Sequence, residues 1–113
     1  MKASVPVRTY SLTNQREHWA VKARRAQKER KWAYMLTAEI KKLGLPLTVT
    51  LTRVAPRKLD DDNIRAALKS IRDGVADRIG VDDGDARVTW HYAQRTGKPK
   101  EYAVEISAAE VAA

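Results

Sequence analysis

The chain is 113 residues long with a formal net charge of +8, a length that suits one domain with a modest core. Having no Cys, it excludes disulfides and thiolate metal sites, and its basic excess favours a polyanionic partner. No apolar run approaches the roughly 18 residues of a membrane span. The stretch MKASVPVRTYS lacks the apolar core of a signal peptide, so a cytoplasmic location is expected, with no membrane partner.

Residues 3–12 (ASVPVRTYSL) read as a strand or an extended arm, with Pro6 favouring an edge position because it offers no N–H to a ladder. Asn14 followed three residues later by Glu17 resembles a capping box. Nothing from there to Leu43 breaks a helix, and Gly44 with Pro46 ends it. Val21, Ala33, Leu36, Ile40 and Leu43 mark part of an apolar face, whereas KARRAQKERK over 22–31 is too polar to be buried. One long helix, basic in its middle, is expected, with a break there as the alternative. Trp19 and Trp32 flank the run; they and Trp90 are expected to be core anchors rather than stacking platforms.

Residues 45–56 read as a strand, with β-branched Val49, Thr50, Thr52 and Val54, and PRKLDDD follows as a loop. A second helix is predicted over 63–79, where Ile64, Leu68, Ile71, Val75 and Ile79 share one face and Gly80 closes it. VDDGD is a turn. Residues 86–94 and 101–107 form two further strands around 95–100, whose Gly97 and Pro99 suit a hairpin loop. The order β-α-β-α-β-β predicts an α+β fold: a small mixed or antiparallel sheet with two helices, as a single domain over 1–113.

Charge is segregated along the chain. Residues 1–43 hold 11 basic against 3 acidic residues, so the whole excess lies there, while the 11 basic and 11 acidic residues beyond cancel. Lys22, Arg24, Arg25, Lys28 and Lys31 are candidate phosphate contacts, joined by Arg57, Lys58 and Arg65 around the acidic loop. A solvated helix face is the plainer reading of the same run. His18 and His91 pair with no nucleophile and are expected to be structural or surface residues.

The acidic groups form two clusters, Asp60-Asp61-Asp62 before the second helix and Asp82, Asp83 and Asp85 after it. Adjacent carboxylates repel, and a divalent cation relieves the conflict, since Mg²⁺ takes oxygen ligands, usually one or two carboxylates with water and phosphate. Asp60 and Asp62, two apart in an extended loop, point to the same side. Asp83 comes from the far end of the helix, so the chain has to fold back for it to meet Asp62. Spacing alone rather favours Asp61 or Asp62 as a cap of the helix, and Asp82-Asp83-Gly84 as an ordinary turn. An EF-hand fits poorly, because Ile64 stands where the next ligand is needed.

The stretch RKLDDDNIRAALKSIRDGVADRIGVDDGD resembles the signature of the RusA family of Holliday junction resolvases, especially its phage and prophage members. The pattern is D-x-D-N, a helix carrying a Lys, and a G-x-D-D-like turn, seen as Asp60-x-Asp62-Asn63, Lys69 and Gly80-Val81-Asp82-Asp83. It covers 57–94, and the N-terminal part only loosely.

The resemblance implies a RusA-like, dimeric fold in a phage- or prophage-encoded endonuclease of a bacterial host cytoplasm. It implies Mg²⁺ (with Mn²⁺ as a substitute) bound by Asp60, Asp62 and Asp83, with Asp82 as a further donor, and catalysis by these three with Lys69. The family Lys follows the second Asp by four residues, where this chain has Ala66. Lys69 at seven residues, or Arg65 at three, then takes the basic role, Lys69 being preferred; on a solvated face Lys69 would instead pair with Asp73. Because a four-way junction is two-fold symmetric and one chain carries one acidic set, a C2 homodimer making paired nicks is expected. The alternatives are a non-catalytic phage DNA-binding regulator, a nuclease for other branched DNA and, less well matched to the carboxylates, an RNA-associated basic protein.

Overall fold

A computed structural model describes residues 1–10 and 18–111. They build an α+β fold in which strands β1 (Lys2–Val5), β2 (Leu47–Ala55), β3 (Val88–Thr96) and β4 (Ala103–Glu110) form one mixed sheet. Three α-helices are seen among the described residues, α1 (Trp19–Leu36), α2 (Asp61–Ala67) and α3 (Lys69–Ile79), with a 3₁₀ turn at Ala38–Lys42. No helix among them is long and apolar enough to cross a membrane.

The sheet order is β1-β4-β2-β3. β2 pairs parallel with β3, Leu47 opposite Val88 and Ala55 opposite Thr96, and antiparallel with β4, Leu51 opposite Ile106. The hairpin expected over 95–100 is therefore corrected: β3 and β4 are consecutive but lie on opposite sides of β2. Their connection crosses the end of that strand, where Gly97 N–H donates to Ala55 C=O. A Cβ on Gly97 would come within 3.1 Å of Val54 Cγ1 and 2.7 Å of Glu101 Oε1, so glycine is there for a close crossing. β1 is an edge strand, and Pro6 follows it directly, as the missing N–H requires.

The predicted second helix is two. α2 begins at Asp61 rather than Asn63, and Leu68, fully buried at φ −102°, ψ 6°, separates α2 from α3. Its apolar face meets the sheet as predicted, with Ile64, Leu68, Ile71 and Val75 packed on Val49, Leu51, Val104 and Ile106, and Ile79 at the margin. Gly80 ends α3 in the left-handed region at φ 87°.

The first helix is shorter than expected. It starts at Trp19, capped by His18, whose Nδ1 accepts the Ala20 N–H; the Asn14 and Glu17 capping box lies outside the described residues. It ends at Thr37, a buried residue whose hydroxyl donates to the Ala33 carbonyl and so competes with continuation of the helix. Val21 and Leu36 are exposed, while Ala33 and Ile40 are in the core.

α1 packs on α3 with little space between them: a Cβ on Gly74 would stand 2.2 Å from the Arg30 carbonyl oxygen and 2.8 Å from Ala33 Cβ. Arg30 also makes a two-bond ion pair with Asp77, at 2.6 and 2.8 Å. Two expectations fail on α1. Trp19 is 73% exposed and Trp32 39% exposed, so neither anchors the core; Trp90 does pack against it. Glu29, inside the run read as too polar to bury, is buried. Both follow from the stripe at Glu29, Ala33 and Thr37 being the one turned inward.

Candidate active site

The loop after β2 is held by side chains from the two central strands. On β2 the inward positions run Leu47, Val49, Leu51 and then Arg53, whose guanidinium donates to the Arg57 carbonyl at 2.8 Å. On β3, Gln94 lies opposite Arg53, and its amide both accepts from Leu59 N–H and donates to Leu59 C=O. The acidic segment thus leaves the sheet from an anchored base.

Asp60 is the N-cap residue of α2, with extended backbone (φ −63°, ψ 150°), and Asp61 and Asp62 lie in the first turn. This replaces the extended-loop geometry expected for Asp60 and Asp62: the two no longer share a side through strand alternation. The capping alternative named Asp61 or Asp62, but the N-cap position falls to Asp60, whose carboxylate makes no bond to the helix N–H groups. All three carboxylates are exposed, and none has a hydrogen-bond or ion-pair partner among the described residues. They sit where the helix dipole favours negative charge.

Asp83 is positioned by Arg72 of α3. Arg72 Nη2 donates to the Asp83 carbonyl, Nε lies 3.9 Å from its carboxylate, and Nη1 donates to the Tyr92 hydroxyl at 3.0 Å. The Arg72 guanidinium also lies 4.7 Å from the Trp90 ring, and Arg65 lies 5.4 Å from the Tyr92 ring. A contact chain Asp83–Arg72–Tyr92–Arg65 therefore runs along the β3 side of the helices, and Asp62 stands one turn before Arg65. Among the described residues no three of His, Asp or Glu form a group that could hold a metal ion. Asp82 is exposed beside Asp83. Asp85 is already neutralised: Arg87 pairs with it at 2.8 Å and holds its pKa down to about 2.

Lys69 faces the other way. It pairs with Asp73 at 3.1 Å and lines a groove shared with Lys22, Arg25, Glu29 and Ser70. Arg65 is the basic residue of α2 turned toward the Asp83 side. Within the groove, burial pushes Glu29 up to about 7, with Arg25 nearby opposing the shift. Arg24, Lys28 and Lys31 are exposed and spaced four and three apart, which gives α1 one basic stripe in solvent. Arg57 and Lys58 are exposed on the acidic loop itself. His91 is exposed on the sheet face opposite the helices, as expected of a surface residue.

Arg72, Tyr92 and Gln94 were not legible as site residues, because nothing local distinguishes a strand Tyr or Gln from its neighbours. Arg53 had a signal: it occupies the fourth inward position of an otherwise apolar alternation.

No protein-family profile matches the chain. Among curated proteins it is similar to an uncharacterized protein of Xylella fastidiosa, 33% identical over 81 residues, which is 62% of this chain and 51% of that protein. The chain thus spans about half the length of the curated relative it matches.

Proposed function

We propose that the protein is a Mg²⁺-dependent, structure-selective DNA endonuclease, phage- or prophage-encoded, that resolves four-way junctions as a homodimer. The observation that carries this reading is the exposed trio at the start of α2, which neither caps the helix nor pairs with a cation among the described residues. Unpaired, adjacent carboxylates are unfavourable without a counter-ion. Their oxygens are the hard donors that Mg²⁺ or Mn²⁺ prefers, and two carboxylates with water and a phosphate suffice for such an ion. Asp60 and Asp62 are the proposed ligands. Asp83, with Asp82 beside it, is assigned to the same set by the resemblance to RusA resolvases alone.

When bound, the ion supplies an acidified water and a Lewis acid at the phosphate. The chain's own residues do the rest. Gln94 and Arg53 hold the loop that carries Asp60, which keeps the donors positioned before substrate arrives. Arg65, Arg57 and Lys58 bring positive charge to the phosphate and to charge developing on it. We assign the basic catalytic role to Arg65 rather than Lys69, since Lys69 is occupied by Asp73. The stripe Arg24, Lys28 and Lys31 binds the DNA backbone without reading bases.

A second reading, a non-catalytic protein that binds branched DNA, is favoured by there being no group of three His, Asp or Glu among the described residues that could hold a metal ion. Incubating purified protein with labelled four-way junction, fork and linear duplex, in Mg²⁺ or in EDTA, separates the two. Paired symmetric nicks in the junction, abolished by EDTA, are expected. Binding without cleavage in Mg²⁺ and in Mn²⁺ would sink the enzyme reading.

A further inference from the structure

Beside the acidic loop lies a cavity of about 360 Å³ bounded by Arg8, Arg53, Arg57, Tyr10, Tyr102 and Leu59. Its floor holds the least expected residue of the sheet. Arg53 takes an inward position on the central strand and is only 7% exposed. A buried guanidinium is strongly unfavourable unless it is paired. Its bonds go to Thr9 Oγ1 at 3.0 Å, the Thr9 carbonyl at 3.3 Å and the Arg57 carbonyl at 2.8 Å, all neutral oxygens. No carboxylate among the described residues pairs with it. A guanidinium has five N–H donors, so two remain after those three bonds.

The cavity wall adds to the positive charge. Arg8 is exposed and stacks between two rings, 4.9 Å from the centroid of Tyr10 and 4.5 Å from that of Tyr102. Arg57 is exposed on the loop above. Burial pushes the Arg53 pKa down, Tyr102 opposes the shift, and the neighbouring Arg8 adds to it. Three guanidiniums around one hollow match the oxygens of a tetrahedral anion in fork geometry.

We propose that this pocket binds a phosphate group, namely a backbone phosphodiester of the nucleic-acid strand that continues past Leu59 to Asp60. The strand assignment deepens the nuclease reading and rests on it; phosphate binding by the pocket does not.

The test follows backbone and arginine Nε–H NMR signals while inorganic phosphate, thymidine monophosphate or an unphosphorylated oligothymidylate is added at constant ionic strength set with NaCl. Saturable shifts at Thr9, Arg53 and Arg57 with phosphate and with the oligonucleotide are expected. The double variant R8Q/R57Q should weaken both by about tenfold or more, since two charge-assisted donors to the phosphate are lost, and should keep the wild-type fold in the same spectra. R53K, which keeps the charge but not the fork, is the second variant and should also weaken binding. No saturable shift at these three residues, with junction cleavage intact, overturns the pocket and leaves the nuclease reading standing. Phosphate binding without any cleavage in Mg²⁺ overturns the nuclease and leaves the pocket. Binding of the monophosphate but not of the oligonucleotide overturns the strand assignment.

Discussion

Gln94 grips Leu59 by both of its backbone groups, at 2.8 Å each, in the way a further ladder residue would. The residue that follows Leu59 is the first of the acidic trio, so the sheet positions the carboxylates through this clamp. Replacing Gln94 with Ala leaves a part-buried N–H and C=O without partners, which costs about 1–3 kcal/mol. Urea denaturation should show that loss, and hydrogen exchange at the Leu59 amide should accelerate. Unchanged Leu59 exchange would show that something else orders the loop.

Asp62 should be separable from DNA binding. On the proposed nuclease reading, Asp62→Asn is expected to abolish junction cleavage while leaving junction affinity equal or tighter, because it removes a negative charge that would face the phosphate backbone. Gel-shift and cleavage assays on one preparation check this. A parallel fall in both would count against a role confined to catalysis.

Arg65 and Lys69 make opposite predictions. Arg65→Ala should lower cleavage by about tenfold or more, as expected when a group stabilising developing charge is lost. Lys69→Ala should do little to cleavage, since its partner is Asp73 across one helical turn. The reverse order of effects would return the basic role to Lys69.

Two glycines should respond to alanine for different reasons. Gly80→Ala strains a left-handed cap (φ 87°) with open space around it, a penalty of about 1 kcal/mol. Gly74→Ala drives a methyl group against the Arg30 carbonyl and Ala33, and overpacking of this kind costs about 1–3 kcal/mol or more despite a gain in helix propensity. Thermal unfolding of both should rank Gly74→Ala as the more damaging.

Stability should fall with rising pH through the titration of Glu29. Its folded pKa is raised to about 7 from 4.5, so between those values the folded state holds a proton that the unfolded state has released. Unfolding free energy therefore decreases over that window, by up to about 3 kcal/mol, and levels off above it. Glu29→Gln should remove this part of the slope in denaturation curves collected from pH 4 to pH 9. An unchanged slope would place the titration elsewhere.

The stripe Arg24, Lys28 and Lys31 predicts a salt signature. Replacing all three with Ala should reduce the slope of log affinity against log salt by about 3 for duplex DNA, near one unit per phosphate contact. The loss should be similar for all sequences tested.

Much of this was legible locally. The spacing of Ile64, Leu68, Ile71 and Val75 marked the inward face of α2 and α3, Gly80 marked their end, and alternation marked β2, because each signal needs only neighbours within one or two turns. The acidic trio and the basic run were legible for the same reason. Strand pairing was not. Val54 meets Ala103 on one side while Ala55 meets Thr96 on the other, and contacts so distant in sequence leave no local trace, so β3 and β4 looked like a hairpin. The exposure of Trp19 and Trp32 and the burial of Glu29 and Arg53 belong with pairing. Residue type sets what burial costs, but which stripe of a helix turns inward is decided by the surface it meets. Here Gly74 lets α3 approach α1 along Arg30 and Ala33, and that contact fixed the rotation of the whole helix.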